Sequence, residues 1–395
     1  MKKHCNTLLL VILILLGTSC KNENTNLTEK TNTFTIEGEI EGLGDNTLYF
    51  RLPEKDYDAL GYRSDSIPVK NGKFKYSDSI TDYSFVTFST RIEKLVKRAK
   101  SGGFYPIKSG YVNVMLYPGA NIKIKGKISD FMEAYPYGDS VNEDFSKLHK
   151  QVFPLGNEAV NYLVKATYED DETVIKALQE KADSVSRIEQ KVKEEFLKNH
   201  PASVATLYYL SDMMMRSQIE NEDAIAIYNN LDNSLKSLPY YDDVSQRVTA
   251  INATKEGRIA PQIKTTSTLD GDLFDLASFK GKYVLIDFWG IWCGPCVAEM
   301  PQVKEFYNKH QDKLAVLGIN SGDKKERIID FLQKNDYQWQ QVMNVRNGGE
   351  ENFVLKYNVS GFPTKFILDP EGRILKKYVG SGEEAFIFLE ELFNK

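Results

Sequence analysis

Two cysteines separated by two residues, Cys293-Gly294-Pro295-Cys296, are the pair in this 395-residue chain whose type and spacing point most directly to chemistry. They follow a near-continuous apolar run, Tyr283–Trp289, and precede Val297, Met300, Val303 and Tyr307 at helical spacing. A buried strand is expected to end shortly before Cys293, and a helix to begin there. A sulfur at a helix N-terminus meets unpaired backbone N–H groups and the positive end of the helix dipole, which favour thiolate over thiol. The thiolate is the species that attacks a disulfide. A second cysteine one turn further in is placed to attack the resulting mixed disulfide and release the product. Gly294 permits a tight approach, and Pro295 suits a first helical turn, where its missing N–H costs nothing.

Two other uses of such a pair compete with this one. Half of a zinc site needs two more ligands, but His310 has no histidine nearby and the other cysteines, Cys5 and Cys20, lie at the extreme N-terminus. A structural disulfide across two residues closes a tiny loop and restricts the unfolded chain little.

The N-terminus reads as an address. Lys2 and Lys3 precede an apolar run over residues 8–16, then Gly17-Thr18-Ser19-Cys20. This is a positive region, a short apolar core and small residues before a cleavage point. The run is too short to span a hydrocarbon layer, which takes about 20 helical residues. The segment resembles a lipoprotein signal, with Cys20 as the lipid-bearing first residue of the mature chain, although Gly17 stands where a larger aliphatic residue is usual. A plain secretory signal is the alternative. Residues 21–33, rich in Asn and Thr, read as a flexible tether. With Cys5 removed and Cys20 capped, Cys293 and Cys296 are the two cysteines of the folded body.

The formal net charge is -5, which argues against nucleic-acid binding because that requires excess Lys and Arg to displace counterions. Twenty-two Tyr and 21 Phe supply ample core material. Residues 34–139 read as β-rich: Phe34, Ile36 and Ile40 alternate with polar residues, 47–52 is β-prone, and Ile67, Val69, Asn71-Gly72, Phe74 and Tyr76 give the strongest hairpin signal. Short strands with turns at this spacing predict a sandwich or small barrel. The basic stretch 91–100 is expected to be a solvated loop or hairpin end. Residues 140–257 switch to a helical pattern, with Val174, Ala177, Leu178, Val185 and Ile188 at helical spacing, and carry the acidic surplus. Met213-Met214-Met215 are expected to pack in a helix rather than line a peptide groove. From residue 258 strands and helices alternate, ending in a hairpin around Asp369-Pro370-Glu371-Gly372 and a last helix, which implies a central sheet with helices on both faces.

Residues 284–296, VLIDFWGIWCGPC, resemble the active-site strand and loop of thioredoxin, and Ser360-Gly361-Phe362-Pro363-Thr364 resembles its cis-proline loop. Cys296-Val297-Ala298-Glu299-Met300-Pro301 is similar to the TlpA/ResA-like branch, membrane-tethered extracytoplasmic thiol-disulfide oxidoreductases. The resemblance covers 258–395 and implies an α/β thioredoxin-like fold there. By that resemblance Cys293 is the nucleophile and Cys296 the buried resolving thiol. Asp287 falls at the buried carboxylate behind the second cysteine, where burial raises its pKa and suits it to take a proton from Cys296. The lysine that neighbours this acid in thioredoxin aligns with Gly318. Glu299, three residues after Cys296 on the same helix face, matches the branch's active-site glutamate and is a second candidate for proton transfer. Trp292 shields the disulfide, Trp289 packs beneath, and Gly294 and Pro295 lie at the contact surface. Pro363 is expected to be cis, exposing the backbone of Phe362 to pair with a substrate strand.

These readings predict a multidomain, exported protein, lipid-anchored in the cell envelope and facing the periplasm. Its substrates would be protein thiols and disulfides, its electrons would come from a membrane donor protein, and no metal or cofactor is expected beyond the Cys293–Cys296 pair. Gly-Pro between the cysteines resembles the reducing pair of thioredoxin, at about -270 mV, more than the strong oxidants near -120 mV. The rival reading is an envelope binding lipoprotein whose β and helical segments hold a partner, with the redox pair secondary. A peroxide-reducing relative would need a Pro–Thr–Cys type pocket, and no Thr precedes Cys293 in that arrangement.

Overall fold

The computed structural model describes residues 32–53, 62–105, 107–346 and 349–394. Cys20, the signal and most of the tether lie outside them. The first third contains β1 (Thr33–Glu41), β2 (Thr47–Pro53), β3 (Tyr62–Pro68), β4 (Lys73–Ser79), β5 (Ser84–Phe88), β6 (Lys97–Arg98), β7 (Phe104–Tyr105), β8 (Val112–Leu116), β9 (Asn121–Ile128) and β10 (Met132–Tyr137). One sheet runs β10-β9-β1-β4, with β1 parallel to β9 and the other pairs antiparallel. The pairs β2–β3 and β5–β8, linked by a Tyr49–Ser89 bridge, face it across a single apolar core. Alternation drives this: in β9 Ile122 and Ile124 point inward while Lys123 and Lys125 stay exposed.

The Asn71-Gly72 signal makes the expected two-residue turn, with φ of 51° and 75° and reciprocal Lys70–Lys73 backbone bonds of 2.9 Å. It does not make a flat hairpin: β3 pairs with β2, and β4 pairs with β1. The turn is a corner between layers, where a Cβ on Gly72 would stand 2.6 Å from the Ile40 carbonyl oxygen. In the basic stretch around β6, Arg98 pairs with Glu93 and the buried Lys97 with Asp130, each at 2.6 Å.

Helices follow: α1 (Ser140–Ala166), α2 (Glu172–Asn199), α3 (Val204–Met215), α4 (Asn221–Asn229) and α5 (Pro239–Ala253). Asp139, Asp171 and Ser203 cap α1, α2 and α3 by accepting first-turn N–H groups. Met213 and Met214 are buried and Met215 is exposed. Val174 and Ile188, whose spacing announced a helix, lie on α2 but are exposed; α2 buries Leu178, Ala182, Phe196 and Leu197. The helices cover the outer face of β5 and β8. Phe85 stacks on Tyr208 at 4.1 Å, and its N–H donates to the Tyr240 hydroxyl at 3.1 Å.

The last third holds β11 (Lys264–Thr265), β12 (Phe274–Asp275), β13 (Tyr283–Trp289), α6 (Gly294–Lys309), β14 (Leu314–Asn320), α7 (Lys325–Asn335), β15 (Gln340–Met343), α8 (Phe353–Lys356), β16 (Thr364–Leu368), β17 (Ile374–Val379) and α9 (Glu384–Phe393). Its sheet runs β15-β14-β13-β16-β17, with β13, β14 and β15 parallel and β16 and β17 antiparallel. β13 sits at the centre and is apolar on both faces. Leu285 and Trp289 pack with residues of α6, α7 and α9; Val284, Ile286 and Phe288 pack with Phe274, Phe353 and Tyr357.

Asn142 joins the first two layers. It is fully buried; its Oδ1 accepts from Met115 N–H at 2.8 Å, and its Nδ2 donates to Met115 C=O at 2.9 Å. The carboxamide closes the edge of β8 as a neighbouring strand would. Asn142→Ala strands both Met115 groups in a dry site, where each costs about 1–3 kcal/mol. We expect a loss of about 2–4 kcal/mol, read as a lower urea midpoint for the transition that reports the β and helical layers.

Candidate active site

Cys293 is the N-cap of α6. The chain leaves β13 at Trp289 and turns through 290–292, and the Cys293 N–H donates to Gly290 C=O at 3.0 Å. Its Sγ accepts the N–H of Cys296 at 3.2 Å, so a main-chain donor of the first turn points at the sulfur. Cys293 and Cys296 are joined as a disulfide with Cα atoms 5.3 Å apart. Cys296 is 1% exposed and Cys293 5%, whereas Gly294 and Pro295 lie open to solvent.

Three contacts fix the strand end that carries this loop. Trp289 is fully buried, and its Nε1–H donates to Gln341 Oε1 at 3.0 Å. Gly318, in register with Asp287 on β14, leaves the space that the Gln341 side chain fills; any Cβ there would collide with it. The Ile291 N–H donates to Asp323 Oδ2 at 2.7 Å, and that carboxylate is held in turn by Asn320 Nδ2 at 3.1 Å and Arg327 at 3.3 Å. Ser321 returns a bond from its N–H to Trp289 C=O at 3.0 Å. Asp323, Ser321 and Gln341 were absent from the sequence-based site. The signal for the first two is position: they follow the C-terminal end of a parallel strand beside the active loop, where open α/β sheets gather their functional groups.

The Phe362–Pro363 peptide is cis. The Phe362 ring meets the edge of Trp292 at 5.2 Å, and Trp292 Nε1–H donates to Ser321 C=O at 2.8 Å. Trp292 and Val379 are each 54% exposed, and Val379 is the cross-strand partner of Thr364. Trp292 and Phe362 thus offer apolar surface beside the disulfide, and Val379 extends it past Gly361 in the cis-proline loop. The helical layer borders it: Ser217, just past α3, donates from its hydroxyl to Ser360 Oγ at 2.7 Å.

Behind the cysteines lies a buried charged group. Asp287 shares the face of β13 with Leu285 and Trp289, which pack in the same cluster as Cys293, Cys296 and Met300. The lysine aligned with Gly318 in the resemblance is supplied here from the opposite neighbour: Lys365 on β16 is the cross-strand partner of Asp287. Its Nζ lies 3.6 Å from Asp287 Oδ1 and makes a closer ion pair with Glu299 Oε2. Glu299 Oε1 also accepts the Gly382 N–H at 2.8 Å. Asp287 Oδ1 is buried with no hydrogen-bond partner. Burial holds the Asp287 carboxyl above the usual range; Lys365 pulls it down, and Glu299 pushes it up. Lys365 was also missed from the sequence, although a lysine inside the apolar run Thr364–Leu368 is itself a signal.

A family described as Thioredoxin-like matches residues 281–374, and one described as a domain of unknown function, DUF4369, matches 34–145. The thiol-disulfide oxidoreductase ResA of Bacillus thuringiensis is 31% identical over 140 residues, 35% of this chain and 77% of that protein. The thioredoxin-like protein YneN of Bacillus subtilis is 35% identical over 130 residues, 32% of this chain and 73% of that protein. Among solved structures, the thioredoxin domain of a thiol-disulfide oxidoreductase from Bacteroides vulgatus is 29% identical, with 35% of this chain and 97% of that chain covered and a TM-score of 0.32. With its buried β13, the disulfide at the head of α6 and ResA similarity spanning most of that protein's length, the chain belongs to the ResA-like thiol-disulfide oxidoreductases, enzymes of thioredoxin-like fold.

Proposed function

We propose that the chain is an exported, lipid-anchored enzyme of the cell envelope that reduces disulfides in client proteins through Cys293 and Cys296. The observation that carries the reading is the Cys293 sulfur at the head of α6, receiving the Cys296 N–H across an exposed Gly294-Pro295 turn. In the reduced enzyme that position favours the Cys293 thiolate. The thiolate attacks one sulfur of a client disulfide, forming a mixed disulfide and expelling the other client sulfur as thiolate. Cys296 then gives up its proton to the acidic group behind it, formed by Asp287 and Glu299, and its sulfur displaces the client from Cys293. Two electrons pass from the enzyme's sulfurs to the client's, and the enzyme is left as the disulfide. The apolar rim of Trp292, Phe362 and Val379 suits a polypeptide client, with the Phe362 backbone beside it as a pairing edge. Gly-Pro between the cysteines supports the reducing direction. Cys20 as lipid site and a membrane protein as electron donor complete the proposal. No described helix is long and apolar enough to cross a membrane.

Two measurements check the chemistry. Alkylation of reduced Cys293 against pH should give a midpoint below the ~8.5 of a free thiol; a midpoint at or above that value removes the nucleophile. Cys293→Ala should abolish insulin reduction, and equilibrium with glutathione should place the pair nearer about -270 mV than about -120 mV. A value near the latter overturns the reducing direction. If Cys293→Ala leaves the cellular role intact, the binding-lipoprotein reading replaces the enzyme as the physiological one.

Asp287 supplies a pH test. Between the ordinary 3.8 and its raised folded value, the native chain holds a proton that the unfolded chain has lost. The native state binds more protons there, so stability falls as pH rises through that window. Asp287→Asn removes this loss. We expect the variant to unfold at a higher denaturant concentration than the parent at pH 7, with the gap closing below about pH 4. The same variant should release a trapped client roughly 100-fold more slowly, the lower end of a general-base contribution.

A further inference from the structure

Two carboxylates lie behind the cysteines, and proton transfer needs one of them. The geometry points to Lys365 as the residue that decides which. We infer that Lys365 is a positioning residue of the exchange reaction: it engages Glu299 in a close ion pair and leaves Asp287, which lacks a donor, as the carrier of a single proton for Cys296. The inference rests on the thiol-disulfide chemistry of this site and holds whichever way electrons flow.

The two acids are treated differently by their surroundings. Glu299 receives two donors, the Lys365 ammonium at close range on Oε2 and the Gly382 N–H at 2.8 Å on Oε1. Hydrogen bonds to the ionised form hold a carboxylate charged. Asp287 lies 3.6 Å from the same ammonium, beyond hydrogen-bond reach, and its Oδ1 is unpartnered. Lys365 and Asp287 each have a side-chain exposure of 3%, so neither can trade its partner for water.

The count of charges sharpens this. Two carboxylates and one ammonium sum to -1 when all are ionised, and to zero when one proton is added. A dry site favours the neutral sum. The added proton goes to the acid with the fewer donors, which is Asp287. During resolution the Cys296 S–H bond breaks and its proton passes to Asp287. The sulfur's electron pair forms the bond to Cys293 Sγ, and the client leaves with the pair from the bond that breaks. The buried group moves from -1 to zero. In the reverse reaction it returns the proton to Cys296.

The surroundings contribute little competing charge. Tyr378 on β17 is the cross-strand partner of Lys365. From α9 the Phe386 ring lies 5.8 Å from Nζ. Glu383, just before α9, is engaged by Gln302 at 2.7 Å, Glu384 follows it at the exposed start of that helix, and Gly318 on β14 brings no side chain. Lys377 points to the other face of the sheet, where Nζ lies 5.3 Å from the Phe366 ring.

The test uses the purified full chain. Carbon-13 NMR of side-chain carboxyls should show Asp287 titrating in one step above the ordinary carboxylate range; an Asp287 step within that range, or an upper step belonging to another carboxyl, overturns the assignment. In kinetics, glutathione is loaded onto Cys293 and its release by Cys296 is followed against pH. Lys365→Met should move the release midpoint up by at least about one pH unit, a tenfold loss of rate on the acidic limb. Lys365→Arg should keep the midpoint, and Lys365→Met/Glu299→Gln, which removes both charges, should restore it to within about 0.3 unit. A role confined to packing would lower the melting temperature and leave the midpoint where it was; that result sinks the proposal. Should Lys365→Met fail to fold, the double variant and the parent titration decide alone. Loss of insulin reduction with the titration intact would count against the reductase reading only.

Discussion

A sulfur atom at the head of α6 sets the terms for the rest of this domain. It must meet main-chain N–H groups, and it must be held there by elements that do not give. β13 meets the second requirement by lying at the centre of five strands, with apolar cover on both faces. The loop between strand and helix is short, so its conformation follows from what grips its two ends. Gln341 holds Trp289 at one end, and Asp323 holds Ile291 in the middle. These are ordinary hydrogen bonds, but the Trp289 N–H has no access to water, and losing Gln341 would strand a buried donor. The absence of a side chain at Gly318 is part of the same device, since the Gln341 carboxamide occupies that volume.

The buried charges behind the cysteines run against the stability of the fold. Taking an ammonium and two carboxylates out of water is costly, and their mutual attraction offsets that cost only with good geometry. Glu299 has such geometry and Asp287 does not. Replacing the group with apolar side chains of similar volume would be expected to stabilise the domain. Local conflicts of this kind are where sequences depart from the choice best for folding, and they gather at sites with chemical work to do.

Much of this was legible in the chain. The Cys-Gly-Pro-Cys spacing, the apolar run Tyr283–Trp289 and the succession of strands and helices after residue 258 announce the thioredoxin-like portion, because buried parallel strands must be continuous apolar runs and helices must start where the run ends. Pairing was less legible. The Asn71-Gly72 turn forms, but its strands belong to different layers, and turn chemistry carries no information about which strands lie alongside. The helical spacing around Val174 and Ile188 announced α2, but not which of its apolar residues are covered, since periodicity marks a face without saying whether a neighbour reaches it. Lys365 was missed for a related reason. Asp287 and Lys365 lie 78 positions apart, and only the antiparallel register of β13 and β16 sets them side by side. Asp323 and Gln341 likewise gain their meaning from strand order, which is a tertiary property.

The hydroxyl pair between Ser217 and Ser360 has a mechanical corollary. Ser360 opens the segment that leads through Gly361 and Phe362 into the cis bond, and Ser217 terminates the turn that follows α3. The pair adds to the bonds that Gly257, Arg258 and Ala260 make with residues 372–374, so the helical layer is tied to the redox domain both at its exit and beside the cis bond. The loop before the cis bond thus takes one of its anchors from outside its own domain, while Trp292 and Val379 stay open to solvent.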